Sequence, residues 1–172
     1  MSNVREYDFC MSLGGSCSAA MQMKQRGLRL ASMPLDWVHG RESTRYVKSV
    51  IEFLGSGFSG WCDFDRLSPM PADMDTPKAT DPLEVRAWDG TYDIGFYHDF
   101  RYNIFGDGGR EYHRGILERY RRRIDRMYDV IRGSKSVFAV VVNAQGALPA
   151  SEMLRLRDSL EWIHPGTEFT LV

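Results

Sequence analysis

The order strand, glycine turn, helix at the start of the chain places the strongest constraint on the fold. Residues 6–13 contain an apolar run that predicts a strand, two glycines follow, and residues 16–26 predict a helix that stops at Gly27. Residues 136–142 form a nearly continuous apolar run, largely β-branched, which is typical of a buried central strand. A strand that leads directly into a helix is the building unit of folds with a parallel sheet and packed helices. The sequence therefore predicts an α/β domain.

The other segments predict three more helices, a β-hairpin and a last strand. Apolar residues recur at helical spacing in 42–54, 108–132 and 149–163. The pair Asp89-Gly90 separates two strand-like segments, 83–88 and 91–98, and residues 168–172 predict the last strand. We expect a single domain over residues 1–172, a three-layer-like α/β arrangement with a partly parallel central sheet and the antiparallel β-hairpin attached to it.

Two segments carry no clear pattern. Residues 28–40 predict irregular structure, because Pro34 disfavours a helix at the residue before it. Residues 66–82 contain four prolines and several acidic residues. We expect this second segment to form a long loop that covers the functional site, since long loops without secondary structure are often functional.

Charge and composition exclude several classes of partner. The chain has 22 Lys and Arg against 23 Asp and Glu, a net charge of -1, so we expect no nucleic-acid partner. No apolar run approaches the ~20 residues that cross a bilayer, so we expect no membrane partner. The N-terminus lacks the order of a signal peptide, and three cysteines are too few for a disulfide scaffold. A reducing cytoplasm is therefore the expected location.

Cofactor motifs are also missing. The turn after the first strand has neither the G-x-G-x-x-G spacing of a dinucleotide site nor the lysine of a P-loop. No pair of Cys or His residues has zinc-finger spacing. We expect no cofactor and no metal.

Cys17 is the candidate nucleophile. It lies in the first turn of the predicted helix, where free N–H groups and the helix dipole favour a thiolate. The same N–H groups would stabilise an oxyanion, and Gly14, Gly15 and Ser16 would let a substrate approach the backbone closely. The alternative is a small buried residue on the inner face of the helix.

His98 is the candidate base, because a nucleophilic cysteine needs a proton acceptor that is most often histidine. The group that orients its ring has three candidates. Asp99 is adjacent but points to the other face if the strand continues, and Asp36 lies in the loop after the first helix. Asn143 follows the strand 136–142 and shares an edge with Cys17 if the strands are parallel. The alternative for His98 is a structural strand-end histidine.

Two further features concern ligand binding. Trp37 is expected to form one wall of the cleft. Arg122 and Arg126 lie one turn apart on the long helix and would together hold an anionic group, although acidic residues between the arginines favour a solvated, salt-bridged face. This pair supports the alternative that the chain is a non-catalytic α/β binding domain for an anionic ligand.

Several motifs resemble a bacterial family of "putative papain-like cysteine peptidases", a domain of unknown function. They are S-L-G-G-S-C-S-A-A at 12–20, G-L-R at 27–29, S-M-P-L-D-W-V at 32–38, H-D-F at 98–100 and Y-x-R-R-I-x-R at 120–126. The resemblance implies a nucleophile at Cys17, a base at His98 and an acid at Asp99 or Asp36. We therefore predict a cysteine-dependent hydrolase, a peptidase or amidase, or an acyl transferase, that acts on a small-molecule or peptide-like substrate.

Overall fold

Two small β-sheets and four α-helices form the described part of the protein. The structure is a computed structural model, and it describes residues 5–71, 83–101, 104–142 and 148–172. In chain order the elements are β1 (Phe9–Ser12), α1 (Cys17–Gln25), β2 (Val38–His39), α2 (Ser43–Gly55), β3 (Leu67–Pro69), β4 (Val85–Asp89), β5 (Ile94–Phe100), α3 (Gly109–Arg132), β6 (Ser136–Val140), α4 (Ala150–Ile163) and β7 (Glu168–Leu171). A short 3₁₀ turn, Phe64–Arg66, precedes β3.

The first sheet is parallel, with strand order β1-β6-β7. The predicted central strand is indeed central, because β6 pairs with a strand on each side. Val137 and Ala139 of β6 are fully buried, as the apolar run requires. The α/β class and the parallel pairing of β1 with β6 are thus confirmed.

The second sheet is antiparallel, with strand order β2-β5-β4-β3. The predicted hairpin forms its centre as β4 and β5, and two short strands extend it on either side. These strands lie where irregular structure and a long loop were expected. Strands of two and three residues are too short to show an alternating pattern, and Pro69 is tolerated because β3 is an edge strand. The rest of the predicted loop, residues 72–82, lies outside the described residues.

Among the described residues, one isolated backbone bridge joins the two sheets. Gly15, just after β1, pairs in parallel with His39 of β2. One core of buried apolar side chains draws on both sheets and on α2, α3 and α4. On α3 the buried residues Ile116, Tyr120, Met127 and Ile131 follow helical spacing. The bridge brings the start of α1 next to the antiparallel sheet, which positions the candidate site.

None of the helices in the described ranges is long and apolar enough to cross a membrane.

Candidate active site

Cys17 occupies the first position of α1. Ser16 caps this helix: its hydroxyl accepts hydrogen bonds from the Ser18 backbone N–H at 3.3 Å and from the Ser18 hydroxyl at 3.1 Å. The N–H groups of the first helical turn have no partner inside a helix, so the remaining ones are open to an anion. Cys17 is partly exposed. The predicted helix start is therefore confirmed, and Ser16 uses its hydroxyl within the protein.

Positions 14 and 15 require glycine because other segments of the same chain pack closely against them. Both have positive φ, 78° and 79°. A Cβ on Gly14 would lie 2.1 Å from the Tyr46 hydroxyl oxygen, and one on Gly15 would lie 1.9 Å from the Val142 carbonyl oxygen. The missing side chains thus make room for other segments of the chain on these sides. Substrate contact with the two glycines stays a prediction.

Tyr46 holds this turn in place through a hydrogen bond to the backbone. Its hydroxyl donates to the Leu13 carbonyl oxygen at 2.8 Å. Burial raises the pKa of Tyr46, against a smaller opposing effect of a hydrogen bond with the Gly15 backbone. The phenol stays neutral and acts as a structural donor. The backbone that leads into Cys17 is consequently rigid.

His98 is paired with a carboxylate that the sequence analysis did not select. Its Nδ1 lies 3.1 Å from Oε2 of Glu84, the residue just before β4. An ionised carboxylate only accepts hydrogen bonds, so Nδ1 donates and Nε2 is left as the acceptor. Glu84 is itself held by Arg86, whose Nε donates to Oε1 at 3.1 Å. His98 packs edge-on against Trp37, with ring centroids 5.7 Å apart, and is 39% exposed.

Asp99 does not meet the His98 ring. The pairing of β4 with β5 is irregular here, because its register shifts between Val85 and Ala87, and the His98 and Asp99 side chains have different partners. The buried Asp99 carboxylate accepts from the Tyr120 hydroxyl at 2.6 Å and from Arg123 at 3.0 Å. It joins β5 to α3, which corrects the expectation that Asp99 orients His98.

Asp36 is likewise committed elsewhere. Its Oδ2 accepts from the Met33 backbone N–H at 2.8 Å and from two nitrogens of Arg29 at 2.6 and 2.9 Å. Burial raises the pKa of Asp36, and the Met33 and Arg29 contacts act in the opposite direction. The Arg29 guanidinium in turn lies 5.1 Å over the Trp37 ring. Asp36 therefore positions the wall behind His98 rather than the imidazole itself.

Tyr97 and His39 lie near the candidate residues: the Tyr97 ring is 6.5 Å from that of His98, and Gly15, two residues before Cys17, is bridged to His39. Burial raises the pKa of Tyr97, and the nearby Cys17 adds to this effect. The His39 ring stacks on Tyr97 with centroids 3.9 Å apart. Burial lowers the pKa of His39 to about 4, and electrostatic interactions with His98 and Arg86 act in the same direction. His39 is therefore neutral near pH 7, and its Nε2 is buried with no hydrogen-bond partner among the described residues.

A second cysteine, Cys62, contacts a histidine but cannot act as a nucleophile. Cys62 Sγ is 3.8 Å from Nε2 of His113, and the same nitrogen is 2.7 Å from the Cys62 carbonyl oxygen. Nε2 donates to that carbonyl, so it cannot also accept a thiol proton. Cys62 is 1% exposed, and burial raises the pKa of its thiol. It is a structural cysteine.

The remaining predicted residues have separate positions. Arg126 donates to the Ser32 carbonyl oxygen at 3.0 Å, so it fastens the Trp37 loop to α3. Arg122 is exposed and forms no hydrogen bond or ion pair with a described residue. The structure therefore does not combine these two arginines into a clamp. Asn143 lies outside the described residues.

The sequence analysis missed Glu84 and His39. The predicted hairpin already put residues 83–85 beside the end of its second strand, so an acid at 84 was the available signal for a partner of His98. His39 gave no such signal, because only the Gly15 bridge brings it near Cys17. Among the described residues no group of three His, Cys, Asp or Glu side chains could hold a metal ion.

Comparison with known proteins places the chain in a family. Residues 8–164 match the family described as "Putative papain-like cysteine peptidase (DUF1796)". The chain is also 29% identical over 140 residues to "Uncharacterized protein R408" of Acanthamoeba polyphaga mimivirus, a match that covers 74% of this chain. The chain spans 59% of the length of that relative. No solved structure gives a significant match. The family description supports a cysteine hydrolase at a coarse level, and the match over most of its length shows that the chain belongs to this papain-like cysteine peptidase family.

Proposed function

We propose that the protein is a cysteine-dependent hydrolase or acyl transferase in which Cys17 is the nucleophile, His98 the base and Glu84 the residue that orients His98. The observation that carries this proposal is the 3.1 Å contact between His98 on β5 and Glu84, and the Gly15–His39 bridge brings the start of α1 beside the same sheet. A nucleophile at a helix start, a histidine and a carboxylate that fixes its tautomer are the three parts of a catalytic triad.

The chemistry proceeds in two acyl-transfer steps. His98 Nε2 takes the thiol proton, and Cys17 Sγ attacks the carbonyl carbon of an amide, ester or thioester. As the tetrahedral intermediate collapses, the bond to the leaving group breaks and His98 returns the proton to that group. Water, deprotonated by His98, then attacks the thioester and regenerates the thiol. In an acyl transferase an amine or alcohol replaces this water.

The oxyanion would be stabilised by the start of α1. Ser16 accepts from the Ser18 N–H, and the N–H of Cys17 at the helix start would donate to the oxyanion. The negative charge would also interact favourably with the helix dipole. The proposed oxyanion site thus consists of the backbone at the start of α1 and needs no further side chain.

His98 fits the role of base better than His39. A thiolate is stabilised by an imidazolium, and His39, with a pKa of about 4, does not hold a proton near pH 7. His98 is partly exposed, so a substrate can reach its ring. Trp37 would form the wall against which a small-molecule or peptide-like acyl group packs.

The test is the pH dependence of iodoacetamide alkylation at each cysteine, read by mass spectrometry. Cys17 should react well below pH ~8.5, where an ordinary thiol ionises. Cys10 and Cys62 in the same molecule are controls, because burial raises the pKa of both thiols. His98→Ala and Glu84→Gln should each move the Cys17 profile to higher pH.

The matched variants decide between the two histidines and between the carboxylates. His39→Phe and Asp99→Asn should leave the Cys17 profile close to that of the wild type. A Cys17 profile like that of an ordinary thiol, or one that only His39→Phe changes, would refute the assignment. In that case the chain would fit the alternative of a non-catalytic binding domain, or a site with His39 as the base.

A further inference from the structure

A cavity of about 500 Å³ lies between the segment 58–64 and α3. It is separated from the candidate active site by β5. Phe96 of β5 packs toward the cavity, with its ring 5.5 Å from Trp61, whereas the next residue, Tyr97, stacks on His39. The contacts of these two neighbours lie on opposite faces of β5, with Trp61 of the cavity on one face and His39 on the other.

The size and lining of the cavity are those of a small-molecule site. Ligand pockets span roughly 300–1,000 Å³ and are mostly apolar with a few polar groups. The apolar part of the lining consists of Phe58, Trp61, Phe64, Leu117 and Ile124. Phe58 and Trp61 meet edge to face at 5.2 Å and form one aromatic wall.

One of the cations at the cavity has no ion pair with any residue that the structure describes. Asp63 pairs with Arg66 at 2.9 Å, and Arg110 pairs with Asp65 while its guanidinium covers the Phe64 ring. Arg121 lines the cavity and makes no ion pair or hydrogen bond with a described residue. A positively charged donor that reaches an apolar cavity favours an anionic group on a ligand.

The aromatic wall has a fixed shape and an unused donor. Phe58 and Cys62 both have positive φ, 60° and 53°, in the left-handed region that bulky residues avoid. Such backbone persists only where the surroundings impose it, and it clusters at ligand sites. Trp61 is only 4% exposed, and its buried indole Nε1 has no acceptor among the described residues.

We propose that this cavity is a second binding site, for a small aromatic molecule that carries one carboxylate or phosphate group. The ring packs against the Phe58–Trp61 wall, and the anionic group pairs with Arg121. The site does not depend on the chemistry at Cys17. It also differs from the Arg122 and Arg126 pair suggested by the sequence, because Arg126 is bound to Ser32.

The experiment is isothermal titration of the full chain with naphthalene-2-carboxylate, 2-naphthyl phosphate and the uncharged 2-naphthylmethanol. Arg121→Gln is the test variant, and Arg122→Gln is its matched control, since both residues are exposed neighbours on α3. The wild type should bind one or both anions, and Arg122→Gln should bind each of them with the same affinity as the wild type. Arg121→Gln should bind the anions at least about tenfold more weakly than the wild type does. The wild type should bind the alcohol about as weakly as Arg121→Gln binds the anions. The tighter of the two anions identifies the charged group.

Three outcomes would overturn the proposal: no binding of either anion, equal loss in the two arginine variants, or equal affinity for the anions and the alcohol. Cys17→Ser should keep the wild-type affinity, and loss of binding in that variant would place the ligand at the active site instead. Thermal unfolding of each variant confirms that it is folded before titration.

Discussion

Replacing His39 with phenylalanine should flatten the pH dependence of stability in the acid range. In the folded chain burial lowers the pKa of His39 from its ordinary 6.5 to about 4. The groups that face it are Tyr97, whose ring lies 3.9 Å away, and the cations His98 and Arg86, which act in the same direction as burial. The unfolded chain therefore binds a proton at His39 at pH values where the folded chain does not.

The sign and size follow from this difference. The contribution of His39 to the unfolding free energy is fully present above pH ~6.5 and is lost as the pH falls toward ~4, because protons then favour the unfolded state. A pKa difference between 6.5 and about 4 corresponds to roughly 3 kcal/mol, most of which is lost by pH ~4.5. Phenylalanine has no titrating group and keeps a ring against Tyr97.

Urea unfolding at pH ~7 and pH ~4.5 measures the effect for both proteins. Between these values the wild type should lose about 2–3 kcal/mol more of its unfolding free energy than His39→Phe. Other histidines with a lowered pKa, such as His113 and His164, are common to both proteins and cancel in the comparison. Equal losses in the two proteins would show that His39 is not held neutral by the fold, and would remove the argument that favours His98 as base.

Two further predictions concern the elements around Cys17. Gly15→Ala should lower the unfolding free energy by at least about 2 kcal/mol, because a Cβ would meet the Val142 carbonyl in a left-handed backbone. Gly27→Ala, also at positive φ but in open space, should cost only about 1 kcal/mol, and equal losses in urea unfolding would refute the packing argument. Asp99→Ala should cost about 3 kcal/mol, since it leaves Arg123 without its buried partner. Cys17 alkylation in that variant should be unchanged under native conditions, and a slowed rate would return Asp99 to the catalytic set.

The main elements could be predicted from the sequence because their signals are local. Four helices, the hairpin, the first, central and last strands and the capped start of α1 all follow from apolar spacing, glycine stops and turn residues that act within a few positions. The motifs around Cys17 and His98 also led to the family that the comparison shows. Cys17 at a helix start is thus a property of the sequence itself.

The partner of His98 was decided by the tertiary structure. The register of β4 and β5 shifts between Val85 and Ala87, where Asp99 contacts Tyr120 in the core and Glu84, just before β4, contacts the imidazole instead. The short strands β2 and β3 exist only because longer strands offer them an edge. His39 reaches the neighbourhood of Cys17 through one bridge between residues that are 24 positions apart. Local patterns specify which residues enter an element, whereas contacts between distant segments depend on how the elements pack. That is why the sequence indicated Cys17 as a candidate nucleophile but not Glu84 as the carboxylate beside His98.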